Sequence, residues 1–105
     1  MNILFVCSRN KWRSATAETI YKNHPVHQIR SAGTEPSARI KINAKLILWA
    51  DLIFVMEKKH KKRISEKYGP ELIDKTLIIL DIPDEYQYMD QELIDEIDSK
   101  VHHYL

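Results

Sequence analysis

Glycine is nearly absent from this chain: there are two in 105 residues, alongside four prolines and one cysteine. So few breakers leave no stretch that reads as a flexible linker or low-complexity segment, and no internal repeat is apparent. A single cysteine excludes an intramolecular disulfide and fits a reducing compartment. No apolar run approaches membrane-span length, and no charged segment with an apolar sequel precedes the first strand. The expected location is therefore the cytoplasm. Formal net charge is +1, so overall charge does not point to nucleic acid. The length predicts one domain over residues 1–105, large enough to bury a core without disulfides or metals.

What is present is concentrated near the start. Ile3-Leu4-Phe5-Val6 is a continuous apolar run, read as a buried strand, and it ends at Cys7. Arg13-Ser14 follows after five residues, and then a helix is expected over residues 15–23. A helix N-terminus offers unpaired N–H groups and a positive dipole end. A short curled loop before it forms an anion nest. Arg13 adds a planar fork matched to two oxygens of a phosphate. The same field is expected to favour the Cys7 thiolate, the nucleophilic form. Cys-x5-Arg-Ser thus describes a thiolate facing a bound tetrahedral oxyanion. The plain alternative is a cysteine that serves only as a small buried hydrophobe.

The remaining pattern alternates strands and helices. Residues 26–30 read as a weak second strand, and Ser31-Ala32-Gly33-Thr34 as a turn. Asn43 is an N-cap for a short helix to Trp49, with Ala44, Ile47 and Leu48 as its buried side. Residues 51–56 read as strand three, 58–68 as a helix closed by Gly69-Pro70, and 76–80 as strand four. Asp81 to Tyr88 form a loop, and Asp90 caps a last helix whose Leu93, Ile94, Ile97, Val101 and Tyr104 face the sheet. Apolar strands alternating with helices imply a parallel sheet covered on both faces. Ligands of such sheets bind beyond the strands' carboxyl ends, where Cys7, Ser31 and Asp84 all fall.

These residues resemble the low-molecular-weight protein tyrosine phosphatase family. Val6-Cys7-Ser8-Arg9-Asn10-Lys11-Trp12-Arg13-Ser14 is similar to its phosphate loop. Ser31-Ala32-Gly33-Thr34, then Ala50 to Met56 with His60, and Pro83-Asp84-Glu85-Tyr86 follow in family order. The resemblance implies an α/β three-layer sandwich with a four-stranded parallel sheet of order 2-1-3-4. It implies hydrolysis of phosphotyrosine or another aryl phosphate through a phosphocysteine, with no cofactor and no metal. Cys7 would be the nucleophile, Arg13 the oxyanion ligand and Asp84 the acid, with Asp81 and Glu85 as competitors. Ser8, Arg9, Asn10, Lys11, Trp12, Ser14 and Ser31 would bind phosphate or support the loop. Tyr86 and Tyr88 would flank the substrate ring. The implied ligands are a phosphotyrosine protein or small aryl phosphate, and inorganic phosphate or another oxyanion. Neither membrane nor nucleic acid is expected.

The departures from the family pattern are specific. Arg9 stands where a glycine is usual, so a positive φ there would strain it. Glu85 replaces a proline after the acid. Pro36-Ser37-Ala38-Arg39 stands where a His-containing stretch supports the loop asparagine, so that support is expected to be lost. The segment around it is short, which predicts a shallower, more open cleft. The basic run from Lys58 to Arg63 reads as a solvated helix face with His60 on the surface. Trp49 reads as core, Trp12 as the edge of the site and Asp51 as structural; His102-His103 lack further metal ligands. Three other functions stay open: arsenate reduction with an external thiol, a phosphocysteine carrier, and a weakly active phosphate or phosphopeptide-binding module.

Overall fold

The computed structural model describes residues 1–105. Its elements run β1 (Asn2–Cys7), α1 (Arg13–Tyr21), β2 (Gln28–Gly33), α2 (Ala44–Trp49), β3 (Leu52–Val55), α3 (Lys58–Tyr68), β4 (Thr76–Ile79) and α4 (Gln91–Val101). Short 3-10 turns follow α3 at Pro70–Leu72 and α4 at His102–Tyr104. All strand pairs are parallel and the order is β2-β1-β3-β4, as the sequence predicts.

Strand parity divides the core into two layers. Ile3, Phe5 and Cys7 of β1 share one face with Leu52 and Phe54 of β3, packed against Ala17 of α1 and Leu93, Ile97 and Val101 of α4. Leu4, Val6, Ile53 and Val55 point the other way, towards Ile47 of α2 and Ile64 of α3. Each of these fully buried side chains contributes roughly 1.5–3 kcal/mol. Both faces being covered explains why β1 and β3 are apolar without alternation. Parity also puts the Cys7 side chain on the α1 face, so the thiol meets the helix that follows it. No helix is long and apolar enough to cross a membrane.

Several boundaries differ from expectation. β2 begins at Gln28 and runs through Gly33, so Ser31-Ala32-Gly33 is strand and not turn. Pro25 and Val26 mimic a strand start, but the buried, paired residues are the small ones: Ser31, Ala32 and Gly33 lie opposite Phe5, Val6 and Cys7. Helix α1 starts two residues early, taking Arg13 and Ser14 into its first turn, and ends at Tyr21. In α2 the Asn43 side chain does cap, accepting from Leu46 N at 2.8 Å, but Leu48 is 58 % exposed and Leu46 takes its place against the core. Asp90 precedes α4 without a side-chain cap bond, and Tyr104 meets the core through an edge contact with Phe54.

One glycine is needed for its missing side chain. A Cβ on Gly33 would lie 2.6 Å from both the Ser8 carbonyl oxygen and Ala38 Cβ, and 3.0 Å from the Arg9 carbonyl carbon. Gly33→Ala is therefore expected to cost about 1–3 kcal/mol by overpacking. Urea unfolding should show a lower midpoint with an unchanged m-value.

Candidate active site

The loop between β1 and α1 is shaped by where its carbonyls go. Thr34 N donates to Cys7 O at 3.0 Å, Glu35 N to Ser8 O at 2.9 Å and Arg39 N to Arg9 O at 3.0 Å. Arg39 Nε donates to Asn10 O at 3.1 Å. Residues 34–39 thus form a strap along the loop's outer side. No peptide bond is cis, and in a planar trans peptide the N–H points opposite to the preceding C=O. The N–H groups of Ser8, Arg9, Asn10 and Lys11 therefore face away from the strap. Asn10 N donates to Cys7 Sγ at 3.3 Å. The N–H groups of Ser8, Arg9, Lys11 and Trp12 have no acceptor within the protein. Trp12 begins α1 without a side-chain cap, so the first helical N–H groups add to the same donor set. The expected loss of support for the loop is overturned: Arg39 supplies it, by backbone and side chain.

The turn of the loop falls on Asn10, with φ 57°, and not on Arg9, which escapes the strain foreseen for it. Asparagine tolerates this left-handed conformation better than most residues. Asn10 is fully buried. Its Nδ2 donates to Ser14 Oγ and Ser31 Oγ, both at 2.8 Å. Ser31 Oγ in turn donates to the Glu18 carboxylate. Ser14 Oγ lies 2.9 Å from Cys7 Sγ and 3.4 Å from the Ala32 carbonyl oxygen; a thiolate can only accept, so it draws the single hydroxyl hydrogen to the shorter contact. A buried chain of hydrogen bonds thus ends on the sulfur, which suits an anion there.

Arg13 is 2 % exposed. Its Nη1 donates to Glu57 Oε1 at 2.5 Å and to the Ile82 carbonyl at 2.8 Å. Its Nε lies 3.8 Å from Asp84 Oδ1. Burial opposes ionisation of Glu57, but the Arg13 hydrogen bond and charge, then Lys59 and His60, outweigh it and hold the carboxyl below its usual range. His60 is 1 % exposed, so the surface placement read from the basic run is wrong. The other cations of that run, Lys58, Lys59, Lys61, Lys62 and Arg63, are exposed on α3. His60 Nδ1 accepts from Glu57 N at 3.0 Å, closing a capping box with the Glu57 side chain. The neutral ring then carries its proton on Nε2 and donates to Ser8 Oγ at 2.9 Å. Burial first, and then the Arg13 charge, push the His60 pKa down to about 4 against an opposing pull from Glu57.

Cys7, Ser8, Arg9, Lys11, Trp12, Arg13 and Asp84 line one small pocket of about 40 Å³. That volume suits a compact anion. Trp12, 40 % exposed, stands at its edge. Asn10, Ser14 and Ser31 lie behind the loop as supports. The two tyrosines are not at the pocket. Tyr86 packs its ring against the core, and Tyr88 lines a separate groove along α1, its hydroxyl 2.8 Å from Thr19 Oγ1. Glu57 and Glu18 escaped the sequence reading. Glu57 follows β3 as Asp84 follows β4, so the strand-end rule was the available signal. Glu18 has no such marker.

A thiol among unpaired N–H groups, beside a buried guanidinium at the carboxyl edge of a parallel sheet, defines a cysteine-based oxyanion enzyme of the doubly wound α/β class. The chain is 34% identical, over 124 aligned positions, to a low molecular weight protein-tyrosine-phosphatase, Ptp, of Acinetobacter johnsonii, covering 90% of this chain and 86% of that relative. The chain belongs to the low molecular weight protein-tyrosine-phosphatase family and is a cysteine-dependent phosphatase. The alignment is longer than this chain, so the relative has segments that this chain lacks. In fold it is similar to the tyrosine phosphatase Wzb of Escherichia coli K30, solved in complex with phosphate, at a TM-score of 0.80 and 21% identity over 98% of this chain and 94% of that one. It is also similar to the YwlE arginine phosphatase of Geobacillus stearothermophilus, at a TM-score of 0.65 and 20% identity over 98% and 94%. No family model matches the chain.

The His60 geometry predicts a pH dependence of stability. The folded pKa lies below the unfolded value near 6.5, so the unfolded state binds the extra proton first. The His60 contribution is complete above about pH 6.5 and is lost as pH falls towards 4, by roughly 2–3 kcal/mol. Histidine NMR should give a midpoint near 4 with the Nε2–H tautomer. Unfolding of His60→Gln should lack that part of the slope.

Proposed function

We propose that residues 1–105 act as one catalytic unit that hydrolyses phosphotyrosine or a similar aryl phosphate monoester through a phosphocysteine. The observation that carries this reading is the position of Asp84: its carboxylate borders the same 40 Å³ pocket as Cys7 and lies 3.8 Å from Arg13 Nε. Phosphate sits on the unpaired loop N–H groups, with the Arg13 Nε and Nη2 edge on its oxygens. Cys7 Sγ attacks phosphorus as the bond to the aryl oxygen breaks. The electron pair goes to that oxygen, and Asp84 protonates it. Water then attacks the phosphocysteine while Asp84 accepts its proton. The phosphorus–sulfur bond breaks, and the returning thiolate is received by the Ser14 hydroxyl and the Asn10 N–H. Asp81 and Glu85 border neither the pocket nor Arg13, which supports Asp84 as the acid.

The aromatic leaving group lies outside the pocket, against Trp12. Arg9 and Lys11 at the rim favour a dianionic aryl phosphate and disfavour the cationic guanidinium of a phosphoarginine. An acid poised beside the guanidinium is not required by a phosphocysteine carrier or a binding module, and a lone cysteine lacks the relay partners of most arsenate reductases. The proposed setting is the cytoplasm, where the single thiol stays reduced.

Hydrolysis of phenyl phosphate and p-nitrophenyl phosphate tests these roles. Cys7→Ser should abolish turnover. Asp84→Asn should lower kcat for phenyl phosphate by about 10²-fold or more. The loss should be smaller for p-nitrophenyl phosphate, whose leaving group needs little protonation. Wild-type turnover no higher than that of Cys7→Ser would sink the reading.

A further inference from the structure

A second, larger depression runs along α1 beside the Cys7 pocket. It measures about 440 Å³ and shares Lys11 with that pocket. Ala15 and the C-cap residue Lys22 are seven apart and share one side of α1, and Lys11, from the loop before the helix, lines the same groove. Ala15 supplies a small floor. Arg39 closes one side and Tyr88 another, with the Tyr88 hydroxyl fixed by Thr19 at 2.8 Å.

The charge in this groove is unbalanced. Its one carboxylate, Glu18, is already engaged by Ser31 and by Arg39 Nη2 at 3.8 Å. Neither Lys11 nor Lys22 pairs with any carboxylate. Of the fifteen acidic residues only Glu18 lines the groove; five lie on and beside α4, where Asp98 accepts from the Tyr21 hydroxyl at 2.7 Å. The small pocket holds the phosphate and little more, so the residues flanking a phosphotyrosine must lie on neighbouring surface. The groove is the continuous one, and its free charges are cations.

We infer that this α1 groove is a subsite for the carboxylate side chains flanking the phosphotyrosine of an acidic peptide. The inference rests on the phosphatase reading and names its substrate class. Lys11 bridges phosphate and flank, Lys22 sets the far end, and Tyr88 gives the peptide an aromatic wall. Because Tyr88 belongs to the loop that carries Asp84, a seated peptide also touches that loop.

The test uses two fluorescent phosphotyrosine peptides, one flanked on both sides by glutamate and one by glutamine. Their Kd values are measured by anisotropy on the Cys7→Ser protein, with and without Lys22→Glu. The glutamate peptide should bind about five- to tenfold tighter at low salt. That gap should close in the Lys22→Glu background and at about 0.3 M salt. The glutamine peptide should change less than twofold. Equal binding of the two peptides, failure of both to bind, or a gap that survives Lys22→Glu would overturn the subsite. Wild-type and Lys22→Glu turnover of p-nitrophenyl phosphate, which has no flanks, should agree. No turnover with the gap present would defeat the phosphatase reading and leave an anionic-peptide groove. Turnover with no gap would defeat the groove alone.

Discussion

A guanidinium buried to 2 % exposure is the constraint from which the site is built. Removing a charge from water is costly unless it is paired and fully hydrogen-bonded. Arg13 meets part of that demand by drawing on three strand ends. It leaves β1 through the loop, takes Glu57 from the end of β3 and takes the Ile82 carbonyl from the end of β4. All of this bonding uses Nη1, so the Nε and Nη2 edge remains for a ligand and for Asp84. The same contact that makes the arginine tolerable also sets where the acid loop begins. Ile82 is itself buried and donates its N–H to Met56 O at 2.9 Å, so the carbonyl cannot drift. Pairing alone would freeze the guanidinium. Pairing on one nitrogen orients it and keeps it available.

The phosphate loop shows a second economy of geometry. Four successive peptides have their carbonyls bound by the strap or by Arg39, and planarity then aims the four following N–H groups the other way. No glycine is needed at Arg9, because the left-handed turn is confined to Asn10. The glycine that is needed sits on β2, where Gly33 lets the strap approach within van der Waals contact. A chain with two glycines has placed one of them at the contact on which the cradle's shape depends.

Much of this was legible in the sequence because it follows from local rules. β1 and β3 read as buried strands from their unbroken apolar runs, and the residues of α3 from its polar pattern and Gly69-Pro70. Cys7 and Arg13 stand out by spacing and by the rule that strand ends carry chemistry, whereas Asp84 is singled out from Asp81 and Glu85 by the family resemblance. What failed involves long-range contact. His60 looks like one cation among six, and only the tertiary position of Ser8 and the N–H of Glu57 make it a buried neutral donor. Glu18 acts through Ser31 across thirteen residues. Tyr86 and Tyr88 have the composition of a cleft wall, but the loop turns one into the core and the other onto α1. β2 was displaced because its pairing residues are small, and small residues carry little strand propensity of their own.

The shortened flank therefore has a definite physical consequence. Residues 34–39 keep the backbone contacts that hold the loop, so the chemistry at Cys7 does not depend on a longer segment. What a short strap cannot provide is a high wall, and the pocket is left at about 40 Å³. Enclosure discriminates by shape and by desolvation, whereas an open rim discriminates mainly by charge. Arg9 and Lys11 line this pocket, Lys22 and Arg39 line the groove beside it, and five of the acids lie on or beside α4. In a chain whose net charge is only +1, that separation is a property of arrangement and not of composition. Exposed charges act over about 8–10 Å at ordinary salt, so selection by this rim must be sensitive to ionic strength in a way that a closed cleft is not.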